Sequence, residues 1–147
     1  MKGRTMRILG LDLGDKRIGV AISDPLGLIA QGLDTIELGT KSDIIKKVCQ
    51  IADLYKAETV VIGLPKNMDG SIGLQGEKAL LFGEELKLCY NGEIAYYDER
   101  LTSRAANAVL LEDNLRRIER KKKIDRVAAV LILQGYLDSK NNNRREG

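Results

Sequence analysis

With 147 residues, 44% of them apolar and 31% charged, and a formal net charge of +3, the chain can bury one ordinary core but not two, and it is too apolar to be disordered. No run is long and apolar enough to span a bilayer and no signal peptide opens the chain, so a cytoplasmic, non-membrane protein is expected. Histidine is absent, which excludes Ser-His-Asp and Cys-His nucleophiles and the usual zinc sites, and leaves carboxylates, lysines, water and a hard divalent cation such as Mg²⁺ or Mn²⁺ for any hydrolytic chemistry.

Residues 6–13 carry Met6, Ile8, Leu9, Leu11 and Leu13 in a nearly continuous apolar stretch, which predicts a strand buried on both faces. One acid, Asp12, is set inside it. Burying a carboxylate costs several kcal/mol unless it is paired or ligates a cation, so Asp12 is the first candidate metal ligand. Gly14-Asp15-Lys16 predicts a hairpin into a second strand over 17–23, and Asp24-Pro25-Leu26-Gly27 a turn towards a third over about 29–37. Lys16 and Arg17 sit in the first hairpin beside Asp12, either as phosphate contacts or as exposed turn cations.

Thr40-Lys-Ser-Asp43 fits a capping box opening a helix to about Tyr55, with Ile44, Ile45, Val48, Ile51, Ala52 and Tyr55 on one face. Thr59–Gly63 reads as a short buried strand. The Gly-rich stretch from Leu64 to Gly76 lacks the G-x-x-x-x-G-K-[ST] pattern of a phosphate loop. It reads instead as a mobile flap from which Ser71 contacts substrate. A helix from Leu74 or Gln75 to Leu88 and a strand over Glu93–Asp98 follow. Thr102 caps a helix to about Asn114, Arg116, Arg117 and Arg120 to Lys123 form a basic connector, and a last helix runs to about Leu137. Residues 1–140 then make a single domain, and the polar segment 141–147 is expected to be a disordered tail. Cys49 and Cys89, far apart in apolar helical contexts, read as buried free thiols rather than as a disulfide or a metal pair.

Three strands joined by hairpins, then helix–strand–helix–strand–helix, predict an α/β domain with a mixed five-stranded sheet flanked by helices. Ligands of such sheets gather at the carboxyl ends of the parallel strands. If strands one, four and five run parallel, Asp12, the Gly63 end and the acids Asp98 and Glu99 meet on one rim. Successive strand residues face opposite ways, so only one of Asp98 and Glu99 reaches the site unless the strand has already broken. Asp125 lies in line with Ala128, Ala129 and Ile132 on the last helix; the alternative is a first-turn acid that favours the helix dipole. Three carboxylates close together repel by several kcal/mol at an effective dielectric of about 20, and a divalent cation removes that penalty.

Residues 1–99 hold 12 Lys+Arg against 15 Asp+Glu, and residues 100–147 hold 12 against 6. A basic end beside a mildly acidic body suits a polyanion, because phosphate contacts dominate nucleic-acid affinity. Lys121, Lys122 and Lys123 are candidate phosphate contacts there. The planar fork of Arg100 suits either a phosphate or an ion pair with Asp98. Thr102 reads first as a helix cap and second as a substrate contact.

Asp12-x-Gly14-x-Lys16-Arg17-Ile-Gly19-Val-Ala-x-Ser23-Asp24, then Gly63-Leu-Pro65 through Gly70-Ser71, then Asp98-Glu-Arg-Leu-Thr102, with Ile124-Asp-Arg-Val-Ala-Ala129 in the last helix, together span residues 6–137. The combination resembles the YqgF/RuvX family, Holliday-junction-resolvase-like members of the ribonuclease H superfamily. The resemblance implies a ribonuclease H-like fold and a divalent-metal nuclease site binding Mg²⁺ or Mn²⁺. It also implies a role in maturing the 5′ end of 16S ribosomal RNA. Asp12 falls on the family's first-strand acid, Glu99 on the acid after the fifth strand, and Asp125 on the last-helix acid. The substrate would be structured RNA; a resolvase acting on branched DNA is the alternative within the nucleases. A non-catalytic nucleic-acid-binding or ribosome-assembly factor is the alternative from another class, and it predicts salt-sensitive binding without Mg²⁺-dependent turnover. A nucleotide-handling domain of the actin/hexokinase type also opens on such a hairpin, but it needs two such domains. Both a monomer and a homodimer fit the sequence.

Overall fold

The computed structural model describes residues 7–101 and 117–146, with the backbone alone for 41, 117–125 and 143–146. Strands β1 (Ile8–Leu13), β2 (Arg17–Ser23), β3 (Ala30–Glu37), β4 (Thr59–Leu64) and β5 (Glu93–Asp98) form one sheet in the order β3-β2-β1-β4-β5. Because β1, β2 and β3 are joined by short turns they pair antiparallel, whereas β4 and β5, reached through helices, pair parallel to β1. Among the described residues the helices are α1 (Lys41–Leu54), α2 (Leu74–Leu86) and α3 (Arg117–Glu146), and one 3₁₀ turn, Glu99–Leu101, follows β5. This is the mixed, helix-flanked sheet of a ribonuclease H-like fold.

The two-residue period of the strands divides the core. Leu9, Leu11, Val60 and Ile62 point to one face, where Val48 and Ala52 of α1 and Ala79, Phe82 and Leu86 of α2 cover them. Ile8, Ala21 and Val61 point to the other, under Ala129, Ile132, Leu133 and Leu137 of α3. Gly10 lets α3 approach closely: a Cβ there would lie 2.8 Å from Cβ of Leu133. Asp12 follows Ile8 and Gly10 on that α3 face.

Thr40 caps α1, its hydroxyl accepting the backbone N–H of Asp43 at 3.3 Å, as its place in the capping box predicts. The Asp24 turn is held by that residue's own carboxylate, which accepts the backbone N–H groups of Leu26, Leu28 and Ile29. Three sequence expectations are corrected. Residues 117–123 belong to α3 and not to a connector, and α3 continues past Leu137 to Glu146. Lys and Arg are good helix formers, and neither Pro nor Gly occurs in 117–123 or 138–146. Beyond Leu137 the helix is tied down by the β2–β3 turn, where the Asn141 amide donates to the Gly27 carbonyl at 3.3 Å. The cysteines are not free thiols: Cys49 of α1 and Cys89, beyond α2, form a disulfide with Cα atoms 6.5 Å apart. Sequence spacing hid this pairing because only packing of both helices on one sheet face brings the two residues together. The expected helix over 102–114 lies outside the described residues.

Candidate active site

Parallel pairing sets the carboxyl ends of β1, β4 and β5 side by side, with Leu11 opposite Ile62 and Leu64 opposite Asp98. Asp12, one residue beyond Leu11, is half-buried beside this rim. As β5 ends, the chain tightens into the 3₁₀ turn, which brings the Glu99 side chain over β4 on the α3 face. The seat it occupies is Gly63. A Cβ at that position would lie 2.6 Å from Oε1 of Glu99 and 2.5 Å from Cδ1 of Ile132, distances no side chain tolerates without movement.

There the carboxyls of Asp12 and Glu99 are hydrogen-bonded to one another. Burial among apolar strands, the Glu99 hydrogen bond and the adjacent negative charge together push Asp12 up to about 8. Desolvation is the largest of these causes, as expected for a carboxyl inside a sheet. At neutral pH the pair therefore holds a proton between two oxygens that, ionised, would repel.

Asp98 turns the other way. Its carboxylate takes Nε of Arg100 at 3.1 and 3.0 Å, Nη2 at 2.7 Å and the Arg100 backbone N–H at 3.0 Å. The guanidinium hydrogen bonds hold Asp98 below the usual carboxylate range. Nη1 of Arg100 reaches the carbonyls of Asn67 and Met68, both at 3.4 Å. Arg100 thus joins the end of β5 to the loop after β4.

Part of the loop read as a mobile flap, Asn67–Ser71, is a hydrogen-bonded turn. The Gly70 N–H donates to the Asn67 carbonyl and the Asn67 N–H to the Ser71 carbonyl, both at 2.9 Å. The Ser71 hydroxyl donates to Asp69 at 2.6 Å and accepts from the Asn67 amide at 2.9 Å. Gly70, at φ +88°, closes the turn in the left-handed region that favours glycine. The Ser71 hydroxyl is therefore engaged within the turn.

Lys16 is exposed at the hairpin tip, while Arg17, mostly covered, faces Glu37 across the β2–β3 pair at 3.6 Å. The stem of Arg126 packs on Gly32 and its guanidinium reaches Asp34 at 3.3 Å. The backbone of α3 thus runs up to the end of the sheet that carries Asp12, and residue 125 lies one turn before the buried Ala129. The side chains of Asp125, Lys121, Lys122 and Lys123, and Thr102 altogether, lie outside the described residues. An apolar cavity of about 480 Å³, lined by Leu13, Ile18, Ile44, Leu81 and Phe82, opens on the opposite face of β1.

Among the described residues, no three Asp, Glu or Cys side chains are grouped to hold a metal; two, Asp12 and Glu99, meet. Their donor chemistry fits a hard divalent cation: carboxylate oxygens, drawn together, with one pushed towards its neutral form by the other and by burial. Sequence reasoning overlooked Gly63 as the seat for Glu99. The available signal was a glycine closing a strand of β-branched residues, which marks a close approach.

The sequence matches the family described as "RuvX: Holliday junction resolvase" over residues 6–139. A Clostridium botulinum (strain Alaska E43) protein named "Putative pre-16S rRNA nuclease" is 54% identical over 133 residues, covering 90% of this chain and 97% of that protein. A Clostridium beijerinckii protein of the same name is 53% identical, with 90% and 96% covered. Among solved structures, Thermus thermophilus RuvC in complex with a Holliday junction superposes with a TM-score of 0.61 at 14% identity, covering 93% of this chain and 96% of that one. The fowlpox virus Holliday junction resolvase superposes at 0.54 and 17% identity, covering 91% and 99%. At such identities these two structures share the fold.

Proposed function

This chain belongs to the RuvX family, and from that premise we propose that it is a divalent-metal-dependent endonuclease that cleaves phosphodiester bonds in maturing the 5′ end of 16S ribosomal RNA. The observation that carries this reading is the Asp12–Glu99 pair, seated on Gly63 at the rim of the parallel strands. Relatives at 53–54% identity that are named for pre-16S rRNA support RNA as the substrate.

Asp12 and Glu99 would hold the cation, with Asp125 as the third ligand, approaching from the row of α3 that buries Ala129. Mg²⁺ or Mn²⁺ bound there supplies charge compensation for the phosphodiester and activation of the attacking water. The protein's own part is to keep two oxygens together on a strand end that cannot rotate away. Binding of a cation requires the proton shared by Asp12 and Glu99 to leave, so affinity rises with pH up to about 8. Lys16 on the hairpin and Lys121, Lys122 and Lys123 on α3 would meet backbone phosphates, and Thr102 follows the acid-bearing turn. Arg17, Ser71 and Arg100 border the same surface, with polar groups engaged inside the protein.

The test is cleavage of a labelled 16S precursor carrying its 5′ leader, beside a four-way DNA junction, in Mg²⁺ or Mn²⁺. Wild type is expected to cut the RNA, and Asp12→Asn and Glu99→Gln to lose at least about a hundredfold, more than outer-shell substitutions at metal sites cost. Preferential cleavage of the junction would instead favour the activity for which the matched family is described. Equal turnover by wild type and Asp12→Asn would remove the nuclease reading, and salt-sensitive binding without turnover would leave a binding factor.

A further inference from the structure

Met68 is 99% exposed, on a turn closed by backbone hydrogen bonds of Asn67, Gly70 and Ser71. Its flanking residues bond to each other: Asn67 to Ser71 through main chain and side chains, and Ser71 to Asp69 through its N–H and its hydroxyl. The Met68 carbonyl itself is held by Nη1 of Arg100. Arg100 directly follows Glu99, and the rest of its guanidinium is committed to Asp98. One arginine thus fixes the turn to the strand end that carries half of the acid pair. A tip with no packing use for a large thioether has been given a rigid mount beside a candidate phosphodiester site.

We propose that the Asn67–Ser71 turn presents Met68 to a base of the bound nucleic acid, and that Arg100 is the positioning residue that locks this mount to the rim rather than a phosphate contact. The proposal rests on the nucleic-acid reading above. Apolar side chains, Met among them, insert between base steps or pack on base faces, and they do so without neutralising phosphate. Arg100 fits the strut role because its donors point at Asp98, Asn67 and Met68.

Phosphate contacts and base contacts separate cleanly by salt. Each phosphate neutralised contributes close to one unit to the slope of log affinity against log salt, and a base-face contact contributes none. Binding of a fluorescein-labelled RNA hairpin with a single-stranded 5′ extension, followed by anisotropy in EDTA from low to moderate salt, reads affinity and slope without cleavage. Met68→Ala is expected to weaken binding about tenfold, the size of a lost base contact, with an unchanged slope and an unchanged melting temperature. Met68→Leu restores most of the affinity. Arg100→Ala and Arg100→Lys are expected to weaken binding comparably, again at constant slope, since a lysine cannot span Asp98 and the two carbonyls. Unchanged affinity in Met68→Ala overturns the contact, and a slope lowered by about one unit in Arg100→Ala assigns that residue to a phosphate and overturns the strut. If wild type itself fails to bind, the nucleic-acid reading falls, a result distinct from either.

Discussion

At Asp12 a carboxyl is placed where a strand should be apolar, and its cost is visible in its acidity. In protein freed of metal, the folded pKa of about 8 stands above the ordinary 3.8. Between those values the folded state holds more protons than the unfolded one, so stability is greatest below pH 4 as far as this group is concerned and is lost as pH rises through about 8. Asp12→Asn removes the term. In EDTA the variant should match wild type only below about pH 4 and melt at an increasingly higher temperature as pH rises towards about 8, with a flatter pH profile; parallel profiles would show that Asp12 is not held protonated. Gly63 makes the complementary case. Gly63→Ala forces the Glu99 carboxylate and Cγ, and the tip of the fully buried Ile132, to move. The melting temperature should fall modestly, reflecting the roughly 1–3 kcal/mol that overpacking a core costs, while cleavage and metal-induced stabilisation fall steeply. A large unfolding effect with intact activity would place Glu99 elsewhere in the working enzyme.

At the level of elements, two joints hold the site's scaffold. On one face the Cys49–Cys89 disulfide ties α1 to the segment between α2 and β5, across 40 residues. Closing a loop of that length in the unfolded chain stabilises the fold by up to about 4 kcal/mol in the chain-entropy account. Cys49→Ser, or reduction of wild type, should lower the melting temperature, and reductant should have no further effect on the variant. On the other face α3 supplies the buried layer. Leu133 is fully buried and packs on Gly10, so Leu133→Ala should cost about 2–5 kcal/mol in denaturant unfolding. A cost below 1 kcal/mol would mean that α3 does not close this core.

For the whole molecule, the mixed sheet explains why acids so distant in sequence can act together. β1, β4 and β5 share a direction, so their carboxyl ends are neighbours, and α3 returns across them with residue 125 at the same end. Cation binding should then be a property of the folded state alone. Mn²⁺ added to EDTA-treated protein at pH 8 should raise the melting temperature, approaching about 2.7 kcal/mol of stabilisation at a hundredfold excess over the dissociation constant. Asp12→Asn should show no such rise. An equal rise in both would locate the bound ion away from the acid pair.

The sequence alone was enough for the strands, for α1 with its Thr40 cap and for Asp12 as an anomaly, because each rests on local periodicity, capping chemistry or the cost of a charge among apolar neighbours. Strand alternation admitted only one of Asp98 and Glu99, and the resemblance to the RuvX family favoured Glu99. What only tertiary structure decided are the contacts between segments with no local signature. These are the seat that Gly63 makes for Glu99, the Arg100 strut to the Asn67–Ser71 turn, the Cys49–Cys89 pairing, and the extension of α3 beyond Leu137 along the β2–β3 turn. Each depends on which surfaces meet when helices pack on the sheet, and that is a matter of distance in space which spacing along the chain does not encode.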